Sequence, residues 1–188
     1  LNWGTPYYYR YYGNNAAGSG WASPSVCFTT VSATAFFWIN SAGGNWSGGG
    51  NWTNELGAGG PKAAGGTNHT LSFNVLGAYT STHNLNDGFL LNRLNFGGSA
   101  VTLAGNSLAF SAGGSGLPQL TQNSANGITI QNNLTLGANT IFGGAGSGQV
   151  TISGAISGSG SLTKTSSGSL VLTGGTSAIS GELRIDSG

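Results

Sequence analysis

The side chains that could carry out acid–base chemistry are few in this sequence. Its acids are Glu55, Asp87, Glu182 and Asp186. Cleavage of a glycosidic bond needs two carboxylates that face the bond. Glu182 and Asp186 are four residues apart on one predicted strand, so their side chains share a face. Because Arg184 lies between them on the same stretch, we expect a charged, solvated rim and no hydrolase site.

The polar stretch STHNLND holds the types of side chain found in nucleophilic triads, namely Ser81, His83 and Asp87. Such a triad is defined by geometry and not by closeness in sequence, so the stretch predicts a polar loop. His69, His83 and Cys27 could supply zinc ligands, but no pair of them has the spacing of a zinc site. We therefore expect no enzymatic activity, no metal and no other cofactor.

The single cysteine, Cys27, excludes an intramolecular disulfide. It lies in the apolar stretch SVCFTTVSATA, and a free cysteine in such surroundings is usually a buried thiol. A buried thiol is therefore the prediction, with an intermolecular disulfide as the alternative.

Charge is scarce in this chain of 188 residues, which has five basic and four acidic residues and a formal net charge of +1. A chain with so few basic residues lacks the electrostatic footprint of a protein that binds nucleic acid or anionic lipid. No apolar run reaches the roughly 18 residues of a membrane-spanning helix. Weak charge repulsion between copies also permits close self-association.

Aromatic residues are concentrated in the first third of the chain. The stretch YYYRYY occupies residues 7–12, and a glycine-rich segment further along contains Trp38, Trp46 and Trp52. These three tryptophans could cover the open end of a solenoid core. The alternative is a flat platform on which sugars stack.

The remainder of the chain consists of short apolar segments separated by Gly, Asn and Ser. Segments such as GITIQN, NLTLGA and QVTISG alternate apolar and polar residues, which is the pattern of a strand with one buried face. Strands this short, joined by small residues, fit a parallel β-helix better than a sandwich. We expect one narrow core that contains Leu134, Leu136, Ile152, Ile156, Leu162, Leu170, Leu172, Leu183 and Ile185.

The stretch ISGSGSLTKTSSGSLVLTGG at residues 156–175 resembles the repeat of bacterial autotransporter passenger domains. In outline that repeat runs Gly-x-Gly-x-Leu-x-Lys-x-Gly-x-Gly-x-Leu-x-Leu-x-Gly. The resemblance is best over residues 150–175, weaker over the rest of 38–188, and Ser166 stands where the family often has Gly. It implies a right-handed parallel β-helix, exported to the cell surface or beyond, with about seven turns of roughly 20 residues each. The matching positions are Gly158, Gly160, Leu162, Lys164, Gly168, Leu170, Leu172 and Gly174.

Together these features predict an all-β chain with an aromatic-rich extension over residues 1–37 and a parallel β-helix over 38–188. The stretch SGELRIDSG reads as a strand in mid-pattern, and a strand edge left unpaired can accept another chain. We expect a structural rod that assembles head to tail into an extracellular filament, with residues 1–37 bridging neighbouring copies; the alternative for these residues is that they fold back as a cap on their own rod. A piece of a longer adhesin passenger is one alternative, and a module that binds or cleaves extracellular polysaccharide is another. The residues expected at the contact between copies are Tyr7, Tyr8, Tyr9, Tyr11, Tyr12, Val26, Phe28, Val31, Leu183 and Ile185.

Overall fold

The computed structural model describes residues 5–30, 32–57, 59–113, 116–175 and 178–187. The chain divides into two compact units, Leu1–Ala33 and Thr34–Gly188. The sequence placed the boundary between residues 37 and 38. It lies earlier because residues 35–37 belong to the first strand of the second unit, where they pair with a strand more than 30 residues further along the chain.

The first unit is a β-hairpin. Its strands are β1 (Pro6–Tyr9), β2 (Tyr12–Asn15), β3 (Gly18–Trp21) and β4 (Val26–Thr29), with β1 antiparallel to β4 and β2 antiparallel to β3. The chain reverses at Ala16–Ala17, where the Asn15 side-chain oxygen accepts a hydrogen bond from the Ala17 amide at 2.8 Å. Gly18 follows with φ of +136°, a conformation that glycine adopts readily. We call β1 and β4 the hairpin base, and β2 and β3 the hairpin tip.

Among the described residues of the second unit, the regular elements are short strands and one short 3-10 helix (Gly49–Asn51) near its start. In chain order the strands are β5 (Ala35–Trp38), β6 (Gly44–Asn45), β7 (Trp52–Asn54), β8 (Thr70–Phe73), β9 (Tyr79–His83), β10 (Phe89–Leu91), β11 (Arg93–Phe96), β12 (Val101–Gly105), β13 (Leu108–Phe110), β14 (Gln119–Gln122), β15 (Ile128–Ile130), β16 (Leu134–Leu136), β17 (Thr140–Gly143), β18 (Val150–Ile152), β19 (Ile156–Gly158), β20 (Leu162–Lys164), β21 (Leu170–Leu172), β22 (Ala178–Ile179) and β23 (Leu183–Ile185).

These strands stack into three parallel sheets that form a β-solenoid of about five turns, so the predicted all-β fold with parallel strands is confirmed. One sheet runs from β5 through β8, β11, β14, β17 and β20 to β23, the second from β6 to β21, and the third from β10 to β22. Strand β7 is antiparallel to β5 and forms the outer edge of the first sheet. Among the described residues no helix is long and apolar enough to cross a membrane.

The solenoid has fewer turns than the seven expected, for two reasons. Equivalent positions of the first sheet lie 21 to 26 residues apart, which is longer than the assumed repeat. The stretch between β5 and β8 also forms no complete turn, because it contains the short strands β6 and β7 and a long loop. The equivalent positions are Leu71, Leu94, Leu120, Phe142, Lys164 and Ile185.

The core is a set of columns in which apolar side chains of successive turns lie on one another. Val101 pairs with Ile128, and Ile128 pairs with Val150, and all three are buried. Of the predicted core residues, Leu134, Leu136, Ile152, Ile156 and Leu162 are buried. Leu170 is half-buried, whereas Leu172, Leu183 and Ile185 are exposed, since no described strand lies over them. For those three the prediction of a buried position is wrong.

Two glycines of the predicted repeat have a common physical reason for being glycine. A Cβ at Gly160 would overlap the carbonyl oxygen of Ala138, and one at Gly174 would overlap that of Gly154. In both cases the overlapping oxygen belongs to the preceding turn. The corners of adjacent turns therefore approach more closely than any residue with a side chain permits.

Replacement of Gly160 by alanine is expected to lower the free energy of unfolding by about 1–3 kcal/mol, because the backbone of two turns must separate. Gly50→Ala is a matched control, since a Cβ there meets nothing within 4 Å. It should be neutral or stabilise by up to about 1 kcal/mol. Urea denaturation of both variants measures the difference, and equal effects would show that the close approach has no energetic weight.

Candidate functional site

Two of the four acids are held in hydrogen bonds to the backbone. The Glu55 carboxylate accepts from the amides of Thr34 at 2.6 Å and Ala35 at 3.0 Å. Burial acts to raise its pKa, but these bonds outweigh that effect and keep the pKa below its ordinary value. Asp87 accepts from the amide and the hydroxyl of Ser107 at 2.8 and 2.6 Å, which lowers its pKa. Both carboxylates are thereby ionised groups with structural partners: Glu55 fixes a loop to the start of β5, and Asp87 joins the loop before β10 to the loop before β13.

The other two acids, Glu182 and Asp186, flank the last described strand, β23 (Leu183–Ile185), whereas the sequence predicted that they lie on it. Asp186 accepts a hydrogen bond from Nε of Arg184 at 2.5 Å, and both side chains are exposed. An exposed pair of this kind contributes little to stability. The pairing with Asp186 raises the pKa of Arg184 further, so the guanidinium stays charged. The arrangement matches a solvated rim.

The polar stretch that resembled a triad does not assemble one. Ser81 and His83 are strand residues that point into the solenoid core and are buried. The Ser81 hydroxyl accepts a hydrogen bond from Nε1 of Trp46 at 2.8 Å, so its contact is with an indole and not with an imidazole. The His83 ring packs on the same indole at a centroid distance of 4.4 Å, with the two ring planes tilted by 38°. The predicted polar loop begins only after His83.

Both histidines should make the fold sensitive to mild acid. Burial lowers the pKa of His69 and of His83 below the ordinary value of 6.5, and Nδ1 of His69 and Nε2 of His83 are buried without a hydrogen-bond partner. Above about pH 6.5 both folded and unfolded chains hold neutral imidazoles. Below about pH 6.5 the imidazoles of the unfolded chain take up protons, whereas those of the folded chain stay neutral because their pKa values are lower. For each histidine the free energy of unfolding therefore falls by at most about 1.4 kcal/mol per pH unit.

The measurement is urea denaturation between about pH 7 and pH 5. The double variant His69→Gln, His83→Gln should lose most of this dependence, whatever its stability at neutral pH. Glu55 and Asp87, whose pKa values are lowered, affect the pH dependence of stability only at more acidic pH. An unchanged slope in the variant would show that other groups cause the acid sensitivity.

The three tryptophans singled out in the sequence pack together inside the first turns of the solenoid. Trp38, Trp46 and Trp52 are each at most 2% exposed. The Trp38 and Trp46 rings each meet Trp52 edge to face, at centroid distances of 5.1 and 5.4 Å. We call these three residues the tryptophan cluster. Its burial excludes a sugar-stacking platform made by these indoles, because such a platform needs open ring faces.

The hairpin base presents its apolar side chains to solvent. Tyr7 and Phe28 lie opposite each other and stack at a centroid distance of 5.8 Å, and Tyr9 lies opposite Val26. Phe28, Tyr9 and Val26 are all exposed. Cys27 is exposed as well. Its predicted burial is wrong, because a two-stranded ribbon has no second layer to cover it. Val31 lies outside the described residues.

The hairpin tip and the adjoining Arg10 present exposed side chains, of which Trp21 and Arg10 were not predicted from the sequence as site residues. Trp21 lies opposite Tyr12, with ring centroids 4.8 Å apart, and the Arg10 guanidinium carbon lies 5.7 Å from the Trp21 ring centroid. Tyr8, Tyr11 and Tyr12 are also exposed. The available signal was the single aromatic residue beside Gly, Asn and Ser in each of YGNN and GSGW.

A groove opens at the last turn of the solenoid. It encloses about 350 Å³ and is lined by Leu170, Leu172, Leu183, Ile185 and Lys164, with residues 167–169 at its rim. The Lys164 side chain is buried, and its ammonium donates to the carbonyl oxygens of Ser166 and Ser187 at 2.6 Å each. We call this feature the terminal groove.

No group of three or more His, Cys, Asp or Glu side chains lies close enough to hold a metal ion in the part of the chain that the structure describes. Comparison of the chain with protein-family models, with curated proteins and with solved structures finds no match. The resemblance to autotransporter passengers therefore stays a prediction, and the solenoid and its exposed surfaces are the basis for a functional conclusion.

Proposed function

We propose that this chain is a non-enzymatic structural protein that assembles with copies of itself, through the hairpin base of one copy and the terminal groove of the next. The observation that carries this proposal is the exposure of apolar side chains at both places. Leu183 and Ile185 are 51% and 67% exposed, and Phe28 is 43% exposed. Apolar surface left in water favours association, by roughly 25 cal/mol for each Å² that is covered.

The hairpin base is a surface that needs a partner. A two-stranded hairpin is marginally stable in water unless its apolar side packs against something else. The base has four apolar or aromatic side chains on one face, Tyr7, Tyr9, Val26 and Phe28, and its outer strand edges leave backbone donors and acceptors available for strand addition.

The terminal groove complements that surface. Its walls are leucine and isoleucine side chains. Its one charged group, the Lys164 ammonium, has three donors, of which two are used by the carbonyls of Ser166 and Ser187. A tyrosine offers the third donor either a hydroxyl oxygen or an aromatic face. The hairpin base supplies tyrosines and contains no acidic or basic residue.

A contact of this kind can extend beyond two copies. The hairpin base and the terminal groove are different surfaces, so the contact is heterologous and leaves each copy free to bind a further one. At the other end of the first sheet, β7 already occupies the edge of β5. The hairpin is therefore a better donor than the first turn of the solenoid.

A surface or extracellular location is part of the same proposal. It is supported by the resemblance of residues 156–175 to exported passenger repeats and by a polar surface made mostly of Ser, Thr, Asn and Gly. The absence of enzymatic activity is supported by the structural hydrogen bonds of Glu55 and Asp87. Single replacement of any of the four acids by alanine should leave assembly intact.

Disulfide trapping tests the contact once the thiol is on the right face: Cys27 lies opposite Tyr8, away from the face of Tyr7 and Phe28, so the starting chain carries Cys27→Ser and Val26→Cys. Leu183→Cys in this background places a second thiol at the terminal groove. Mild oxidation of this variant should give a ladder of covalent multimers that a reductant dissolves. Leu76→Cys is the matched control, since Leu76 is also an exposed leucine, at 77%, and does not line the groove.

The double variant Leu183→Cys, Cys27→Ser should give at most a dimer, since each copy then has one thiol. Electron microscopy of the unmodified 188-residue chain should show filaments, and Phe28→Ser should shorten or abolish them. A chain that stays monomeric at high concentration would overturn the proposal, and so would equal ladders from Leu183→Cys and Leu76→Cys.

A further inference from the structure

We propose that the hairpin tip binds an acidic polysaccharide, with a sugar ring stacked on Trp21 and its carboxylate paired with Arg10. This inference concerns the hairpin tip and the adjoining Arg10, and the concavity there also includes Tyr8 and Tyr9 of the hairpin base. The inference also moves the aromatic sugar platform from the buried tryptophan cluster to a tryptophan that is 61% exposed.

The aromatic pair of the tip is held in place by the hairpin itself. Tyr12 and Trp21 are directly opposite on β2 and β3. Their planes are tilted by 55° at a centroid distance of 4.8 Å. Cross-strand aromatic pairs stabilise a hairpin, so the rings are positioned before any ligand arrives. Preorganised rings bind a ligand with a smaller loss of side-chain entropy.

The same face of the tip continues with polar groups. Side chains alternate between the two faces of a strand, so Asn14 shares a face with Tyr12, and Ser19 shares one with Trp21. Asn14 and Ser19 are opposite each other and exposed. An amide and a hydroxyl beside an aromatic pair can exchange hydrogen bonds with sugar hydroxyls while the rings cover the apolar face of the sugar.

Arg10 gives the tip its preference for an anion. It is the single charged residue among residues 1–33, which contain no acid. Within the described residues its guanidinium contacts the Trp21 ring and forms no ion pair. Tyr8, Tyr9, Arg10, Trp21 and Ser25 line an open concavity of about 480 Å³. A guanidinium pairs with a carboxylate through two parallel hydrogen bonds, which an uronic acid can accept.

Other anionic polymers fit these groups less well. Nucleic acids and clustered acidic peptides are bound by several cations that act together, and the hairpin has one. A chain of uronic acids offers one carboxylate for each ring, which matches one guanidinium beside one exposed indole. The combination of stacking ring, amide, hydroxyl and single cation therefore favours a polyuronate.

Isothermal titration calorimetry with oligogalacturonate tests this inference, in buffer free of calcium. Binding is expected for oligogalacturonate, and binding at least tenfold weaker is expected for a neutral glucan and for polyglutamate. The glucan lacks the carboxylate, and polyglutamate lacks the ring. Equal binding of polyglutamate would show a response to charge alone and would overturn the proposal, as would the absence of binding to oligogalacturonate.

Variants locate the site. Trp21→Ala should weaken binding of oligogalacturonate at least tenfold, which is about 1.4 kcal/mol, whereas Trp21→Tyr should retain most of it. Because Trp21→Ala can also loosen the hairpin, Arg10→Gln provides a second variant that keeps the aromatic pair. It should abolish the preference over neutral glucan. Leu76→Ala on the solenoid is the control. Unchanged binding by both Trp21→Ala and Arg10→Gln would place the ligand elsewhere and refute the assignment.

Discussion

Trp46→Ala is expected to lower the free energy of unfolding of the solenoid by about 3–5 kcal/mol, the range found when a large buried aromatic side chain is removed. Trp46 is 2% exposed, and its ring contacts those of Trp52, His83 and Phe89 at centroid distances of 5.4, 4.4 and 5.4 Å. Alanine leaves a cavity among rigid rings, which cannot collapse to fill it. The Ser81 hydroxyl also loses its donor. Chemical denaturation followed by circular dichroism measures the loss.

Two further variants separate the causes of that loss. Trp46→Phe keeps much of the volume but removes the hydrogen bond to Ser81, and leaving a buried polar group unpaired costs about 1–3 kcal/mol. Trp21→Ala is the matched control, since Trp21 is largely exposed, and it should leave the unfolding of the solenoid unchanged. A similar small effect for Trp46→Ala and Trp21→Ala would mean that the tryptophan cluster does not stabilise the first turns.

The fold was predictable because period-two alternation is a local property. In GITIQN the sequence shows two isoleucines flanking a threonine, and the structure buries Ile128 and Ile130 and turns Thr129 outward. Stacking of like on like follows from the need of each turn to cover the next. Val101, Ile128 and Val150 form one such column. The apolar positions of the alternating segments therefore mark the residues that stack on one another in successive turns.

Whether a side chain is buried depends also on which other part of the protein packs against it, and this could not be predicted from local alternation. The stretch VCFT is apolar and β-prone, which reads as a buried strand, yet it pairs only with β1 and stays exposed. The hairpin reverses through NNAAG, which lacks the Asn-Gly pair of tight hairpins. The burial of the tryptophans of WINSAGGNWSGGGNW could not be predicted, because a glycine-rich segment has no alternation of apolar and polar residues that would show which side chains face the core.

The residues of the candidate sites likewise differ in whether a local pattern in the sequence reveals them. The exposed residues of the terminal groove, Leu183 and Ile185, were named from the sequence because they continue the strand pattern. The contact between Arg10 and Trp21 could not be predicted from the sequence, because these residues are 11 positions apart and are brought together only by the chain reversal at Ala16–Ala17. The two carbonyl partners of Lys164 likewise come from separate stretches, so its role emerges only from the folded chain.

Leu103→Ala is expected to cost about 2–5 kcal/mol, the range for a buried leucine whose removal leaves a cavity. Leu103 is 0% exposed and lies in the column between Ser81 and Ile130. Thr102→Ala is the control on the adjacent residue, whose side chain faces outward, and it should change stability by no more than about 0.5 kcal/mol. Because the two positions share one strand, backbone propensity is nearly the same for both. Equal losses would contradict the assignment of faces.

The comparison with Leu172→Ala links stability to assembly. Leu172 lies in the same column as Leu103, through Ile130 and Ile152, but it is 40% exposed at the terminal groove. In dilute solution its replacement should therefore cost well under the 2–5 kcal/mol of Leu103→Ala. If a hairpin base of another copy covers it, the cost rises with protein concentration, because association stabilises only the folded chain. Denaturation of Leu172→Ala and Leu103→Ala over a hundredfold range of concentration distinguishes these cases. A cost for Leu172→Ala that stays constant over that range means that the groove has no partner among copies of this chain.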